Sequence, residues 1–222
     1  MEERPPLTLR AAGEHARARG LALNNRLLLL VIGALAILLA AGPLLGLSGF
    51  PLIFVELAAF GAMVAANRWY SPQIGRWLRG AEGERRVGTV LADLAVDGWM
   101  ALRDVSLGHG NVDHILIGPG GIFTIETKSH PGKIRLDSID PRMLKQAYAE
   151  KKLIERITGM QVQPLLVFSR AFLIGSVPAQ RRGVTILPAR MLAHYFSRRR
   201  PILTPDKAEQ LHIRLARALS DA

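Results

Sequence analysis

The sequence predicts a mixed α/β domain with a central sheet, preceded by a two-helix transmembrane hairpin. Three observations carry this. Two long apolar runs lie near the N-terminus, one uncharged and the other holding a single acid. Runs of helical apolar spacing and β-rich runs alternate from about residue 74 onward. And "NVDHILIGPGGIFTIETK", Asn111 to Lys128, reads as two strands around a Pro-Gly-Gly turn. The chain accordingly divides into an N-terminal tail (1–26), a helical hairpin (27–67) and an α/β domain (74–222).

The first run, Leu27 to Leu47, is long enough to span a hydrocarbon core roughly 30 Å thick. Ser48-Gly49 follows, then Phe50 to Ala66, near the lower limit for a span. So tight a link makes a hairpin with both ends on one side of the lipid bilayer. Arg17, Arg19 and Arg26 precede it, and Arg68, Arg76 and Arg79 follow. By the positive-inside rule both termini are cytoplasmic, which predicts a multi-pass protein of the inner (cell) membrane. A cleaved signal peptide fits less well, because the run is long, starts late and is followed by a second. Glu56 lies inside the second span and is given no role, nor is the Gly42-x-x-x-Gly46 pair.

Beyond the hairpin, Val87, Val90, Leu91 and Leu94 give helical spacing across Ile74–Leu94. Trp99–Leu102 reads as a short strand, then a polar loop, then the opening strand pair. Lys133–Leu136 is expected as a third sheet element. Asp140-Pro141 starts a helix through about Ile157, with proline where its missing N–H does no harm. Leu165–Phe168 and Val184–Leu187 are β-rich. Thr204-Pro205-Asp206 opens a last helix, ending near Leu219.

Cysteine is absent, which excludes disulfides, zinc–thiolate and iron–sulfur sites and cysteine nucleophiles. No G-x-S-x-G, P-loop or G-x-G-x-x-G occurs. Residues 68–222 hold 24 basic against 14 acidic residues, so nearly all of the net +11 lies there. That excess favours a polyanion, nucleic acid or anionic lipid.

The strand pair contains its own puzzle, since charged residues are seldom buried without a partner. With the turn at Pro119-Gly120, Gly118 faces Gly121, Ile117 faces Ile122, Ile115 faces Thr124 and Asp113 faces Glu126. Alternation puts Lys128 on the same face. Directly opposed like charges destabilise a sheet, and a divalent cation between them reverses the sign. Mg²⁺ prefers such hard oxygen ligands, and an ammonium beside it can orient a water or stabilise charge on a phosphoryl oxygen. The bland alternative is a surface cluster that merely pairs its charges.

"GAEGERRV", "GNVDHILIGPGGIFTIETK" and the following "GKI" closely resemble the nuclease-related domain (NERD). The resemblance implies the PD-(D/E)xK nuclease superfamily, with an αβββαβ core and Mg²⁺- or Mn²⁺-dependent hydrolysis of nucleic-acid phosphodiesters, DNA foremost. It implies Asp113 and Glu126 as metal-binding carboxylates and Lys128 as the catalytic lysine. Glu84 is similar to the family's N-terminal acidic residue, a further ligand or holder of a water. Gln146 is similar to the glutamine on the following helix that touches substrate or site. The tyrosine found four residues later in some related nucleases is absent: Glu150 stands there, and Tyr148 lies two residues on.

Lys133, Arg135, Arg142, Lys145, Lys151 and Lys152 follow the proposed centre, and Lys133, Arg135 and Lys145 are candidates to hold substrate phosphates. Arg198-Arg199-Arg200 suits nucleic acid or anionic headgroups. His114 points to the face away from Asp113 and is expected to pack rather than bind metal; His109 sits in a glycine-flanked loop and is given no role. The rival reading is a non-catalytic, membrane-anchored protein that keeps the nuclease fold to bind nucleic acid or a partner.

Overall fold

The computed structural model describes residues 13–106 and 111–220. It resolves into two compact units, His15–Arg79 and the chain from Gly80 onward together with Gly13 and Glu14. Two helices, α1 (Glu14–Leu45) and α2 (Gly49–Asp93), open the chain. Both are long and apolar enough to cross a membrane. Their large apolar side chains face outward: Leu39 and Phe54 are each 78% exposed. The second apolar run and the Ile74–Leu94 segment, read separately above, are one continuous helix. Pro72 lies inside it, and Gln73 Nε2 donates to the carbonyl of Trp69 one turn earlier.

After a short 3₁₀ turn, β1 (Met100–Ser106), β2 (Asn111–Gly118) and β3 (Gly121–Lys128) form an antiparallel meander. Helix α3 (Pro141–Thr158) then crosses to β5 (Val162–Phe168), which lies parallel to β3. β8 (Val184–Pro188) pairs parallel with β5, and β7 (Ala179–Arg181) closes the edge antiparallel to β8. The main sheet therefore runs β1-β2-β3-β5-β8-β7. Helices α4 (Leu192–Ser197) and α5 (Pro205–Ser220) complete the chain.

β4 (Lys133–Arg135) departs from expectation. It joins β6 (Phe172–Ile174) in a separate two-stranded sheet rather than the main one. The reason is edge occupancy: β2 and β5 already take both hydrogen-bonding edges of β3.

Helices cover both faces of the sheet, so its central strands are apolar on both sides. Val87 and Leu91 of α2 pack on Leu116, Phe123, Ile125 and Leu165. On the other face Ile115, Ile117 and Ile122 meet Ile154 of α3 and Leu211 and Leu215 of α5. The strand-pair turn is held by packing as well as by its sequence. A Cβ on Gly118 would lie 2.5 Å from the Trp99 ring, and Gly121 has φ 112°, a conformation that favours glycine.

Candidate active site

The β2–β3 register is the one the turn predicts, with Gly118↔Gly121, Ile117↔Ile122 and Ile115↔Thr124 paired as far as His114↔Ile125. One step further the ladder gives way to chemistry. The Thr127 backbone N–H donates to Asp113 Oδ2 at 2.7 Å, so the carboxylate caps the end of the strand pair. Glu126 is 3% exposed, and its Oε1 receives the Lys128 ammonium at 2.5 Å. Lys128 Nζ also donates to Gln146 Oε1 at 3.1 Å, and Gln146 Nε2 donates to Glu150 Oε1 at 3.1 Å. Glu150 thereby fixes which end of the amide faces the lysine.

The helices bring these groups together by definite local devices. Asp140 caps α3 by accepting from the Arg142 N–H at 2.8 Å, with Pro141 at the first helical position. Gln146 and Glu150, four residues apart, then share one helix face. On α2 the decisive residue is Gly83. A Cβ there would come within 2.6 Å of Ser169 Oγ and 2.8 Å of Ser129 Cβ, directly after the ends of β5 and β3. Glycine lets the helix approach closely enough for Glu84 to feel the charges of Asp104, Glu126 and Lys128.

The electrostatics are those of carboxylates crowded out of water. Burial, then the charges of Glu126 and Glu84, raise Asp113 well above the usual carboxylate range. Burial, with Asp104 and Glu126, pushes Glu84 up to about 7. Burial and the adjacent Glu126 push Glu150 up to about 10. For Lys128 burial works downward, but the charge and hydrogen bond of Glu126 outweigh it and the ammonium is held above its ordinary range.

Asp113, Glu126, Lys128, Glu84 and Gln146 thus share one neighbourhood, whereas Lys133 and Arg135 do not join it. Both are exposed on β4, and Arg135 is paired with Asp137 at 2.8 Å. Lys145 lies on α3 but lines a separate cavity. His114 is fully buried with no hydrogen-bond partner at either ring nitrogen, and burial followed by the charge of Arg103 lowers it to about 3. It packs as a neutral ring. His109 lies outside the described residues.

Two acids escaped the sequence reading as site residues. Glu150 stands where some related nucleases carry tyrosine, and its four-residue spacing from Gln146 is the signal the sequence offers. Asp104 interrupts the β1–β2 ladder between Arg103↔His114 and Val105↔Val112, buried at φ 47° and accepting from Asn111 Nδ2 at 3.0 Å. A left-handed aspartate inside a strand has no mark in the sequence.

Whether these residues suit a divalent cation is a question of donors. Carboxylate oxygens are the right kind, and Glu126 and Glu150 are both buried, with a hydrogen bond to Glu126 among the causes that raise Glu150. Among the described residues no three acids or histidines converge with coordination geometry, and the ammonium of Lys128 fills one side of Glu126. By chemistry the donor set fits; a bound cation would have to draw the carboxylates closer.

Residues 79–169 match the family model of the nuclease-related domain, which bears out the resemblance read from the "GAEGERRV" and Asp113–Lys128 segments. No curated protein matches the chain. Among solved structures it is similar to protein VC1899 from Vibrio cholerae, at 16% identity and a TM-score of 0.27. That match takes in 99% of this chain but 58% of the other, so the chain spans little more than half of that structure's length.

Proposed function

From the nuclease-related domain at residues 79–169, we propose a membrane-anchored, metal-dependent nuclease with a PD-(D/E)xK-like core. The observation that carries the reading is the Lys128 ammonium, held between Glu126 and Gln146 beside Asp113 at the end of one strand pair. Asp113 and Glu126 would hold Mg²⁺ or Mn²⁺, with Glu84 and Glu150 as further carboxylates at hand. When bound, the cation offsets charge growing on the phosphate and lowers the pKa of water. Lys128 donates a hydrogen bond to the attacking water or to a phosphoryl oxygen. Water oxygen joins phosphorus and gives up a proton, the P–O ester bond breaks, and the leaving oxygen takes a proton in exchange. Gln146 positions the ammonium, and Glu150 positions Gln146.

The two apolar helices would anchor this domain in the inner membrane. Arginines flank both ends of the hairpin, which favours cytoplasmic termini and access to intracellular nucleic acid. The ammonium–carboxylate pair in the centre lends support to the non-catalytic rival, in which the same charges merely close on each other.

Cleavage by the full chain in detergent separates the two. With Mg²⁺ or Mn²⁺ the parent is expected to cut single- or double-stranded DNA, and Asp113→Asn, Glu126→Gln and Lys128→Ala to lower the rate by about 10²-fold or more. The cation should raise the parent's melting temperature by linkage, less so in the two carboxylate variants. Parent-like metal shifts in Asp113→Asn and Glu126→Gln would remove the metal centre. Normal shifts without cleavage of any DNA or RNA would leave the binding reading.

A further inference from the structure

Helix α3 serves two sites. One face carries Gln146 and Glu150 into the centre; another borders a cavity of about 320 Å³ lined by Pro141, Arg142, Leu144, Lys145, Tyr148 and Arg182. That volume is at the lower end for a small-ligand site. Leu144 and Pro141 give it apolar lining, and three basic residues line it as well. Tyr148 is 39% exposed, leaving ring surface open. Lys151 and Lys152 lie 5.5 and 5.8 Å from its ring centroid, and both are paired with Glu155.

The β7–β8 turn supplies the independent observation. Its two central residues, Arg182 (φ 48°) and Gly183 (φ 75°), are both left-handed, as a type I′ turn requires. Asparagine-glycine suits that turn best, and arginine in its first position is disfavoured. The chain nevertheless puts a guanidinium there, on the cavity wall. Gly183 brings the turn against the ring: a Cβ there would lie 3.3 Å from Tyr148 Cε2. A residue held in a disfavoured backbone conformation at a cavity gives a reason to ask what its side chain does there.

We propose that this cavity is a nucleotide subsite, taking one base of a single-stranded flank of the substrate against Tyr148 and its phosphate on Arg142, Lys145 and Arg182. The inference rests on nucleic acid being the substrate. Gln146 and Tyr148 are two residues apart, so subsite and centre are separated by about a helix diameter, roughly 10–12 Å. One or two nucleotides of extended strand cover that distance. An apolar lining with basic residues beside it matches a base and its phosphate better than a bare anion. Aromatic stacking plus a basic groove is the general means of holding single strands.

The test uses the full chain in detergent with EDTA, so that binding is read without cleavage. Fluorescence anisotropy follows a thymidine 12-mer, a 12-base-pair duplex and labelled AMP. Tyr148→Ala should weaken the single strand about tenfold, and Tyr148→Phe should restore it. Arg182→Asn should fold at least as stably as the parent, because asparagine suits the turn. It should also weaken the single strand and lower its salt slope by about 0.7. Parent-like single-strand affinity in both Tyr148→Ala and Arg182→Asn overturns the subsite and leaves the nuclease reading standing. If the variants weaken AMP but not the 12-mer, a free nucleotide is the occupant and the strand assignment falls. A parent that binds neither oligonucleotide overturns subsite and nuclease reading together.

Discussion

Leu39 and Phe54 in the helical hairpin are each 78% exposed, while Leu116 and Phe123 in the sheet are fully buried. The same two residue types thus meet opposite fates in the two units. In the α/β unit the helices cover both sheet faces, so apolar side chains are sheltered by the chain itself. In the hairpin they point outward, and only an apolar medium would shelter them. The polar exceptions differ as well. Glu56 is the one acid of the hairpin's second apolar run, whereas the sheet gathers Asp104, Asp113 and Glu126 with Glu84 and Glu150 from the helices. Exposed apolar surface sets the hairpin apart; buried charge sets the α/β unit apart.

The largest expected effect compares the two units directly. Phe123→Ala should cost the α/β unit about 3–5 kcal/mol, since the ring packs between Trp99 and Phe196. Phe54→Ala should leave the melting of that unit unchanged. Equal losses in thermal melts of the two variants would break the comparison.

Next in size, Leu39→Arg puts a charge at the middle of the first apolar run. It should oppose membrane insertion by about 2.5–3.5 kcal/mol, read as a smaller carbonate-resistant membrane fraction. An undiminished fraction would show that the outward apolar face meets something other than lipid.

Gly83→Ala sharpens the contrast inside the α/β unit. Its Cβ would meet Ser169 and Ser129 at less than 3 Å, and overpacking of this kind costs about 1–3 kcal/mol. Because the same approach positions Glu84, cleavage should fall more than the melting temperature alone accounts for. A stable, fully active variant would show that the helix has room to move.

The smallest effect belongs to a half-buried ion pair on α3. The hydrogen bond from Lys151 lowers Glu155 to about 2, helped by the Val162 N–H at 3.2 Å. An unfolded glutamate titrates near 4.3. The stability this group contributes is therefore complete above about pH 4.3 and lost as pH falls towards about 2. Glu155→Gln should melt slightly below the parent at neutral pH, and the gap should close over that acid range. A gap independent of pH would assign the contribution to packing instead.

The β2–β3 pair was the most legible part of the sequence. A Pro-Gly turn and alternating apolar residues fix register locally, and the pairing they predict holds from Gly118↔Gly121 to His114↔Ile125. The helix start at Asp140-Pro141 was equally local. Helical spacing showed the Gly83–Glu84 segment but not that glycine there admits the helix to the strand ends.

By itself, then, the sequence determined the two apolar runs, the order of the main elements and the charged end of one strand pair, because each depends on neighbours within a few residues. Only the tertiary structure decided that β5 lies beside β3, that β4 is turned away to β6, that Glu150 stands beside Glu126 and that Asp104 stands near Glu84. Those contacts join residues tens of positions apart, and which of them form is settled by competition for strand edges and close packing rather than by any local pattern.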